Sequence, residues 1–331
     1  MAADGQRLRI DLVVPLYNEE QVVAEFHRRL MDVVGKLRLE HVVRVYYVDD
    51  GSVDGTAAQL ARLAADDDGV TVVELSRNFG HQAALTAGLD RAEGDVVVTL
   101  DGDGQHPPEL IPQLLDLHRA GYEVVLTQRV TAERPRLKRW TSRAFYRLLS
   151  VISDTPVTDG SADYRLVSRP VLHALRGMRE YHRFLRGMVA WAGFKTVVLP
   201  YAEQPRIGGQ AKYSLARMGR FAADATFSFS LVPVGIALVV GLGFLGLAAA
   251  EALYVLSFWL SGRQHLLVPG WSSLMFMILI VGASLMIAVG LVGIYVGYIF
   301  QEVKRRPVYV VRAVHGREAE PSRDRGGPDT P

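Results

Sequence analysis

The amino-acid sequence predicts an α/β protein in which a doubly wound, mainly parallel sheet is followed by two membrane-spanning helices. Two observations support this fold class. Short apolar runs alternate with helical patterns along the N-terminal part of the chain, as they do where crossover helices join parallel strands. Further on, two stretches carry no charged residue, and each is longer than the roughly 20 residues that a spanning helix needs.

Five apolar runs are predicted to be strands, and the segments between them to be helices. The predicted strands are 10–14, 43–48, 70–75, 96–100 and 122–127. The predicted helices are 20–37, 56–65, 80–92 and one opened by Pro107 and Pro108, since proline is favoured in the first turn of a helix. Ligands of such sheets bind at the carboxyl ends of the strands.

The composition of the 331-residue chain excludes several classes of protein. It has no cysteine, which excludes disulfides, thiol nucleophiles and cysteine-bound zinc. A net charge of +2 gives no reason to expect nucleic acid as a partner. The nine histidines form no His-Glu-x-x-His pair of a metalloprotease. The polar N-terminus runs straight into the first predicted strand, so we expect no signal peptide.

Residues 225–250 and 266–300 are the two stretches without a charged side chain. Buried core helices are the alternative to membrane spans, but runs of this length are rare in soluble folds. Basic residues precede the first stretch and follow the second. The only basic residues between the two stretches are Arg263 and His265. Under the positive-inside rule both chain ends are cytoplasmic, and we expect a multi-pass protein of the cell (inner) membrane.

These features divide the chain into four segments. We expect a cytoplasmic α/β domain at 1–210, a juxtamembrane amphipathic segment at 211–226, a two-helix transmembrane hairpin at 227–300 and a cytoplasmic tail at 301–331. The tail has few apolar residues beyond Val314 and is expected to be disordered at its end.

Two further features concern contact with the membrane and with other chains. The basic and aromatic segment 134–153 is predicted either to lie in the membrane interface or to form an ordinary solvated helix. Gly293 and Gly297 leave room for close packing of the second span on another helix, and so for a homo-oligomer. Membrane lipids are therefore expected partners.

The first two predicted strands end in polar motifs. The first is Val-Pro-Leu-Tyr-Asn-Glu-Glu at 14–20, which lacks the glycines of a dinucleotide-binding loop; the chain has no Gly-Lys-Ser/Thr loop either. The second is Asp-Asp-Gly-Ser at 49–52. A carboxylate at that place can accept hydrogen bonds from a base or ribose. Taken alone, the motif is also a common turn with a helix N-cap, and that alternative stays open.

The fourth predicted strand ends in Asp-Gly-Asp-Gly-Gln at 101–105. Two carboxylates on a turn kept small by glycine can hold a divalent cation, and Mg²⁺ commonly takes one or two protein carboxylates. Such an ion would stabilise a diphosphate leaving group, on which negative charge builds up. A calcium-binding EF-hand is excluded, because its sixth and twelfth positions would be His106 and Pro112 in place of Gly and Glu.

Together these motifs resemble the GT-A domain of family 2 glycosyltransferases. The resemblance extends to Ser-Arg-Asn-Phe-Gly at 76–80, Gly-Ser-Ala-Asp-Tyr-Arg-Leu at 160–166 and Arg-Ile-Gly-Gly-Gln-Ala-Lys-Tyr-Ser at 206–214. It covers all but the ends of the chain. It is strongest for polyprenyl-phosphate glycosyltransferases, namely dolichol-phosphate mannose synthases and the bacterial undecaprenyl-phosphate glucosyl- and aminoarabinosyl-type enzymes.

The resemblance also implies roles for individual residues. The donor pocket would be formed by Pro15, Tyr17, Glu19, Asp50, Asp101 and Gly102. A Mg²⁺ or Mn²⁺ ion would be held by Asp101, Asp103 and Gln105. Catalytic roles are implied for Asp103, Arg129, Asp163 and Arg165, of which the last two would shape the acceptor side. The acceptor and the diphosphate would be bound by Ser142, Arg143, Arg206 and Lys212.

The implied reaction is an inverting transfer of a hexose from a nucleotide sugar to polyprenyl (undecaprenyl) phosphate. We expect UDP-glucose as the donor, because the two-span layout resembles the bacterial glucosyl branch; a GDP-mannose-dependent mannose synthase is the alternative. A processive polysaccharide synthase is disfavoured, because Arg136 stands where the Gln-x-x-Arg-Trp motif has glutamine. An alternative of another class is a catalytically inactive, membrane-tethered protein that binds nucleotide sugars.

A phosphate monoester acceptor has a further consequence for Asp163. The second pKa of such a phosphate is near about 6, so its attacking oxygen is largely anionic at neutral pH. No general base is then needed. We therefore expect Asp163 to orient the acceptor and Arg165, and not to take up a proton.

Overall fold

A computed structural model of the chain describes residues 7–129, 161–181, 183–202, 239–262 with short gaps, and 270–316. The predicted segments 134–153 and 211–226 lie outside these ranges, as do Ser142, Arg143, Arg206 and Lys212. The chain divides into two compact units: the first comprises 1–146, 156–212 and 307–331, and the second comprises 147–155 and 213–306.

Eight strands form one sheet in the first unit: β1 (Arg9–Leu16), β2 (Val42–Asp49), β3 (Val70–Leu75), β4 (Val96–Thr99), β5 (Val124–Arg129), β6 (Ser161–Ser168), β7 (Thr196–Tyr201) and β8 (Val311–His315). Their order is β7-β5-β6-β4-β1-β2-β3-β8. β1 is parallel to β2 and β4, β2 to β3, and β5 to β7. β6 is antiparallel to β4 and β5, and β8 to β3. The fold is therefore a GT-A-like mixed α/β sheet.

Helices cover both faces of this sheet, as the alternating pattern predicts. They are α1 (Val23–Leu37), α2 (Thr56–Asp66), α3 (His81–Arg91), α4 (Ile111–Arg119), α5 (Arg169–Gly177) and α6 (Leu185–Trp191), with a 3₁₀ turn at Pro108–Leu110. Phe26, Leu60 and Leu114 of α1, α2 and α4 belong to the same buried core cluster as Leu12 of β1. Successive residues of a strand point to opposite faces, and α3 packs on the other face, where Gly88 lies against Val13.

Strand β8 was not predicted, because its residues lie in the segment assigned to the tail. The backbone N–H of Ser76, just after β3, donates to Val310 O at 2.8 Å, and Arg312 Nη2 donates to Ser76 O at 2.8 Å. Tyr309 Oη donates to Asp90 Oδ2 at 2.9 Å. The last strand of the sheet is therefore supplied by residues that follow the long apolar helix described next.

The second unit contains the helix α7 (Trp271–Val303), which has 33 residues. Within it, Ile280–Val303 is a 24-residue stretch of mean hydropathy 2.2, long and apolar enough to cross a membrane. It is the one such helix among the residues that the structure describes. The first predicted span falls largely outside those residues.

Candidate active site

The candidate site lies at one edge of the sheet, where the parallel strands β1 to β5 end. Asp50 follows β2, Asp101 lies two residues beyond β4, and Arg129 ends β5. Asp163 is near the start of β6, which runs antiparallel to its neighbours and therefore begins at the edge where they end. This topology brings together polar residues that are far apart in sequence.

The loops after β1 and β2 are tied to each other. The Asn18 N–H donates to Ser52 Oγ at 2.9 Å, and the Val53 N–H donates to Asn18 Oδ1 at 2.9 Å. The Glu19 N–H donates to Thr56 Oγ1 at 2.9 Å. These bonds fix the loop that carries the predicted donor residues Tyr17 and Glu19, which are partly exposed, while Pro15 is buried in β1.

Asp50 connects the end of β2 to the loop after β3. Its Oδ1 accepts the Phe79 N–H at 2.8 Å, and its Oδ2 accepts the Gly80 N–H at 2.9 Å. Burial raises the pKa of Asp50, and the two backbone donors act in the opposite direction. The carboxylate therefore orders the loop at 76–80, and a contact of Asp50 with the nucleotide remains a prediction.

The predicted metal residues Asp101, Asp103 and Gln105 occupy a tight turn after β4. Residues 101–105 are called the metal turn below, after this predicted role. Gly102 is buried, and a Cβ there would lie 2.5 Å from Leu16 Cδ2. The Gln105 N–H donates to Asp103 Oδ1 at 3.0 Å, which closes the turn. Asp101 Oδ1 is buried and has no hydrogen-bond partner among the described residues.

This turn is chemically suited to a divalent cation. No group of three or more His, Cys, Asp or Glu side chains in the described ranges could hold a metal ion. Mg²⁺ does not require such a group, because it commonly binds one or two carboxylates and completes its shell with water and substrate phosphates. Asp101 Oδ1, which is buried and accepts no hydrogen bond from the described residues, and the side-chain oxygens that Asp103 and Gln105 supply on the same turn are ligands of the required kind.

His106 joins the turn to the end of β5. The Asp101 N–H donates to His106 Nδ1 at 2.9 Å, and the other ring nitrogen lies 3.1 Å from Arg129 Nη2. The imidazole is fully buried and stacks on Tyr164 at 5.2 Å between ring centroids. Burial lowers the pKa of His106. Its ring therefore lies between the turn at 101–105 and Arg129, whose catalytic role remains a prediction.

Asp163 is contacted by three basic side chains. Arg186 donates from Nε to Oδ1 at 3.1 Å and from Nη2 to Oδ2 at 2.9 Å. Arg165 donates from Nη2 to Oδ1, and His81 Nε2 lies 3.4 Å from Oδ2. Burial acts to raise the pKa of Asp163, but Arg186, His81 and Arg165 outweigh it and hold that pKa well below its usual range.

His81 lies between the carboxylates of Asp101 and Asp163. Its Nε2 lies 3.5 Å from Asp101 Oδ1, in addition to its contact with Asp163. Burial acts to lower the pKa of His81, but the two carboxylates outweigh burial and raise it to about 9. The imidazole is therefore largely protonated at neutral pH.

Sequence reasoning missed His81, His106 and Arg186. His81 opens α3 directly after the motif at 76–80, and its position next to that motif could have marked it as a site residue. Arg186 lies on α6, a seven-residue helix for which no pattern was recognised. Ser142, Arg143, Arg206 and Lys212 lie outside the described residues, so their predicted roles remain predictions.

The site therefore combines a carboxylate pair suited to a divalent cation with several guanidinium groups at one edge of an α/β sheet. Preorganised cationic groups of this kind stabilise the negative charge of phosphates. A site of this kind is suited to substrates that carry phosphate groups.

Comparison with known proteins specifies the class further. Residues 11–176 match the family model for glycosyl transferase family 2. The chain is 35% identical over 317 residues to an uncharacterized glycosyltransferase of Synechocystis sp., covering 95% of this chain and 98% of that one. It is 33% identical over 311 residues to a prophage bactoprenol glucosyl transferase homolog of Escherichia coli, covering 93% and 99%. The chain belongs to glycosyl transferase family 2.

Among solved structures, the chain is similar to a mannosyltransferase of Pyrobaculum calidifontis in complex with GDP-Man and Mn²⁺, with 18% identity and a TM-score of 0.44. That similarity covers 86% of this chain and 88% of the other. Family membership makes the protein a glycosyltransferase, and the alternative of an inactive binding protein is set aside.

Proposed function

We propose that the enzyme transfers glucose from UDP-glucose to a polyprenyl phosphate, giving polyprenyl-phosphate glucose and UDP. The observation that carries this proposal is the position of a basic cluster, Arg165 and Arg186 around Asp163, next to the metal turn through His81. Two phosphate-bearing substrates need such a concentration of positive charge. Support for the acceptor and the sugar comes from relatives named bactoprenol glucosyl transferase, at 33% identity over 93% of this chain.

The reaction is a single displacement. An oxygen of the lipid phosphate forms a bond to the anomeric carbon, and the bond from that carbon to the diphosphate breaks with inversion of configuration. The electron pair of the broken bond leaves with UDP. No proton needs to be removed from the acceptor, in agreement with the low pKa of Asp163.

Asp101, Asp103 and Gln105 are the residues that would hold Mg²⁺ or Mn²⁺. When bound, such an ion neutralises charge that develops on the diphosphate leaving group. We propose that Arg129, which ends β5 and lies beside His106, supports the same phosphates. Arg206 and Lys212 are proposed to bind the diphosphate, and Ser142 and Arg143 to bind the acceptor.

Ligand-induced stabilisation tests the choice of donor. At 100 times its Kd a ligand raises the free energy of unfolding by about 2.7 kcal/mol, so the true donor must raise the melting temperature. We expect UDP-glucose with Mn²⁺ to do so and GDP-mannose to have little effect. Transfer of labelled glucose to polyprenyl phosphate then tests the reaction. Stabilisation and transfer with GDP-mannose alone would replace the donor and leave the reaction class unchanged.

We further propose that the chain crosses the membrane twice. Strand β8 pairs with β3, so residues 311–315 are on the same side of the membrane as the sheet. With α7 proposed to make one crossing, this arrangement requires an odd number of crossings between residues 202 and 271. The charge-free stretch 225–250 is long enough for one crossing. The basic flanks favour a cytoplasmic sheet.

Single cysteines test this topology, since the chain has none of its own. A cysteine at Gln264 should react with a membrane-impermeant thiol reagent in intact cells, and a cysteine at Ser322 should not. The opposite labelling pattern would reverse the proposed orientation. Equal labelling of both positions in intact cells would contradict the hairpin.

A further inference from the structure

Arg186, which is not among the predicted site residues, makes a fork with Asp163. Both nitrogens of one guanidinium edge bind the two carboxylate oxygens, at 3.1 and 2.9 Å. Such bidentate pairs fix the orientation of a carboxylate as well as its charge. The side chain of Asp163 is 8% exposed and that of Arg186 is 27% exposed. Arg186 therefore covers the outer side of a carboxylate that is otherwise enclosed.

The two helices whose side chains contact Asp163, α3 with His81 and α6 with Arg186, are joined to each other. The Leu185 N–H, one residue before Arg186, donates to Gln82 Oε1 at 3.1 Å, and Gln82 is adjacent to His81. The start of α6 is thus bound to the start of α3. His81 and Arg186 reach Asp163 from these two helices, while Arg165 reaches it from its own strand, β6.

The charges of this cluster suit an incoming anion. Arg165 and Arg186 carry two positive charges around the single negative charge of Asp163. Arg165 is almost fully buried, and burying it is costly unless its partner stays ionised and in place. The contacts that fix the carboxylate of Asp163 therefore also fix Arg165 at the reaction centre.

We propose that Arg186 is a positioning residue of the acceptor side: by its fork to Asp163 it holds Asp163 and Arg165 in the arrangement that receives the acceptor phosphate monoester. This inference rests on the proposed function, because it assigns the cluster to the acceptor and the metal turn to the donor. Arg186 acts through Asp163. Its loss is therefore expected to change the use of the acceptor and to leave donor binding unchanged.

The test is a double-mutant cycle in the full-length enzyme, with Asp163→Asn, Arg186→Gln and the double variant. Transfer is measured against polyprenyl phosphate concentration at saturating UDP-glucose. We expect Arg186→Gln to lower kcat/KM for the acceptor by about 10²-fold, the loss typical of a group misplaced by about 1 Å. The double variant should be no slower than Asp163→Asn alone, because the two residues act as one unit.

Two further variants separate positioning from a merely structural role. Arg186→Lys keeps the charge but cannot form the fork, so it should fold like the wild type and recover only part of the acceptor kcat/KM. Arg179→Gln removes another arginine, whose ion pair with Asp90 is exposed, and should behave as the wild type. If Arg186→Gln does not fold, Arg186→Lys carries the test through its acceptor kcat/KM.

The possible outcomes distinguish this inference from the proposed function. Wild-type acceptor kinetics in the Arg186 variants, multiplicative losses in the double variant, or a loss confined to the donor KM would each overturn the positioning role alone. A wild-type enzyme that transfers glucose to no polyprenyl phosphate would overturn the proposed function together with this inference. Non-additive losses confined to the acceptor would support both.

Discussion

Replacing Gly102 by alanine is a sharp test of the metal turn. The new Cβ would lie 2.5 Å from Leu16 Cδ2, 2.9 Å from Leu16 Cγ and 3.1 Å from Val14 Cγ1. Ordinary contacts begin at 3.4 Å, so the shortest of these distances is about 0.9 Å too small. Leu16 and Val14 are buried in β1 and belong to the central core cluster, so they have little room to retreat.

The turn itself must therefore move by nearly 1 Å. Overpacking a well-filled core costs about 1–3 kcal/mol, so the melting temperature should fall without loss of the fold. The effect on activity should be larger, since Asp101 and Asp103 flank Gly102 and would move with it. A displacement of about 1 Å in a reacting group can cost about 10²-fold in rate.

The assay compares Gly102→Ala with Gly35→Ala, a matched control in α1 where a Cβ would meet nothing within 4 Å. Gly35→Ala should keep full activity and gain up to about 1 kcal/mol in stability, because alanine favours helix. For Gly102→Ala we expect a loss of kcat/KM of about 10²-fold, with a raised Mn²⁺ requirement. Full activity of Gly102→Ala at the wild-type Mn²⁺ concentration would refute the assignment of the turn to metal and donor.

Three further predictions follow from individual contacts. Asp163→Asn should keep the wild-type ascending limb of the pH–rate profile, because a carboxylate of such low pKa does not titrate in the assay range; loss of the limb would identify Asp163 as the base. Asp50→Asn should lower the melting temperature and raise the donor KM, because an amide cannot accept both backbone N–H groups, a defect of about 1–3 kcal/mol; an unchanged melting temperature would contradict this. Arg312→Ala should raise the donor KM about fivefold, since about 1 kcal/mol of hydrogen bonding to Ser76 is lost; an unchanged KM would show that this contact of β8 with the loop at 76–80 does not affect donor binding.

The first five strands could be predicted from the sequence because of where they lie. Strands buried on both faces read as continuous apolar runs, and the prediction of 70–75 agrees with β3 at both ends. The prediction of 43–48 falls one residue short of β2 at each end. The motif at the C-terminal end of β4 also singled out Asp101 and Asp103, whose metal role remains a prediction.

The later strands could not be predicted by the same pattern. β6 contains Asp163 and Arg165 within eight residues, and two opposite charges in a buried strand become favourable only when they pair with each other and with Arg186. β8 has five residues, of which Arg312 and His315 are polar. Its partner β3 lies far away in the sequence, so no local signal identifies the pairing.

The residues of the candidate site also divide into those that a local sequence pattern predicts and those that it does not. Asp101 and Asp103 were found because their spacing alone has a chemical meaning. His81 and Arg186 have no such spacing, because they are more than 100 residues apart in sequence and converge on Asp163 only through the packing of α3 and α6. The sequence therefore pointed to Asp101 and Asp103 but not to His81 and Arg186.

The position of β8 in the chain also determines when the enzyme can be completed during synthesis. Domains begin to fold from the N-terminus while the chain is still being made, so β1 to β7 are available long before β8 leaves the ribosome. Until then β3 is an open sheet edge, and open edges pair readily with other chains. The edge closes only after α7 has been synthesised, so a chain truncated in or before α7 retains an aggregation-prone edge. Completion of the catalytic sheet thus reports that the long apolar helix α7 has been made.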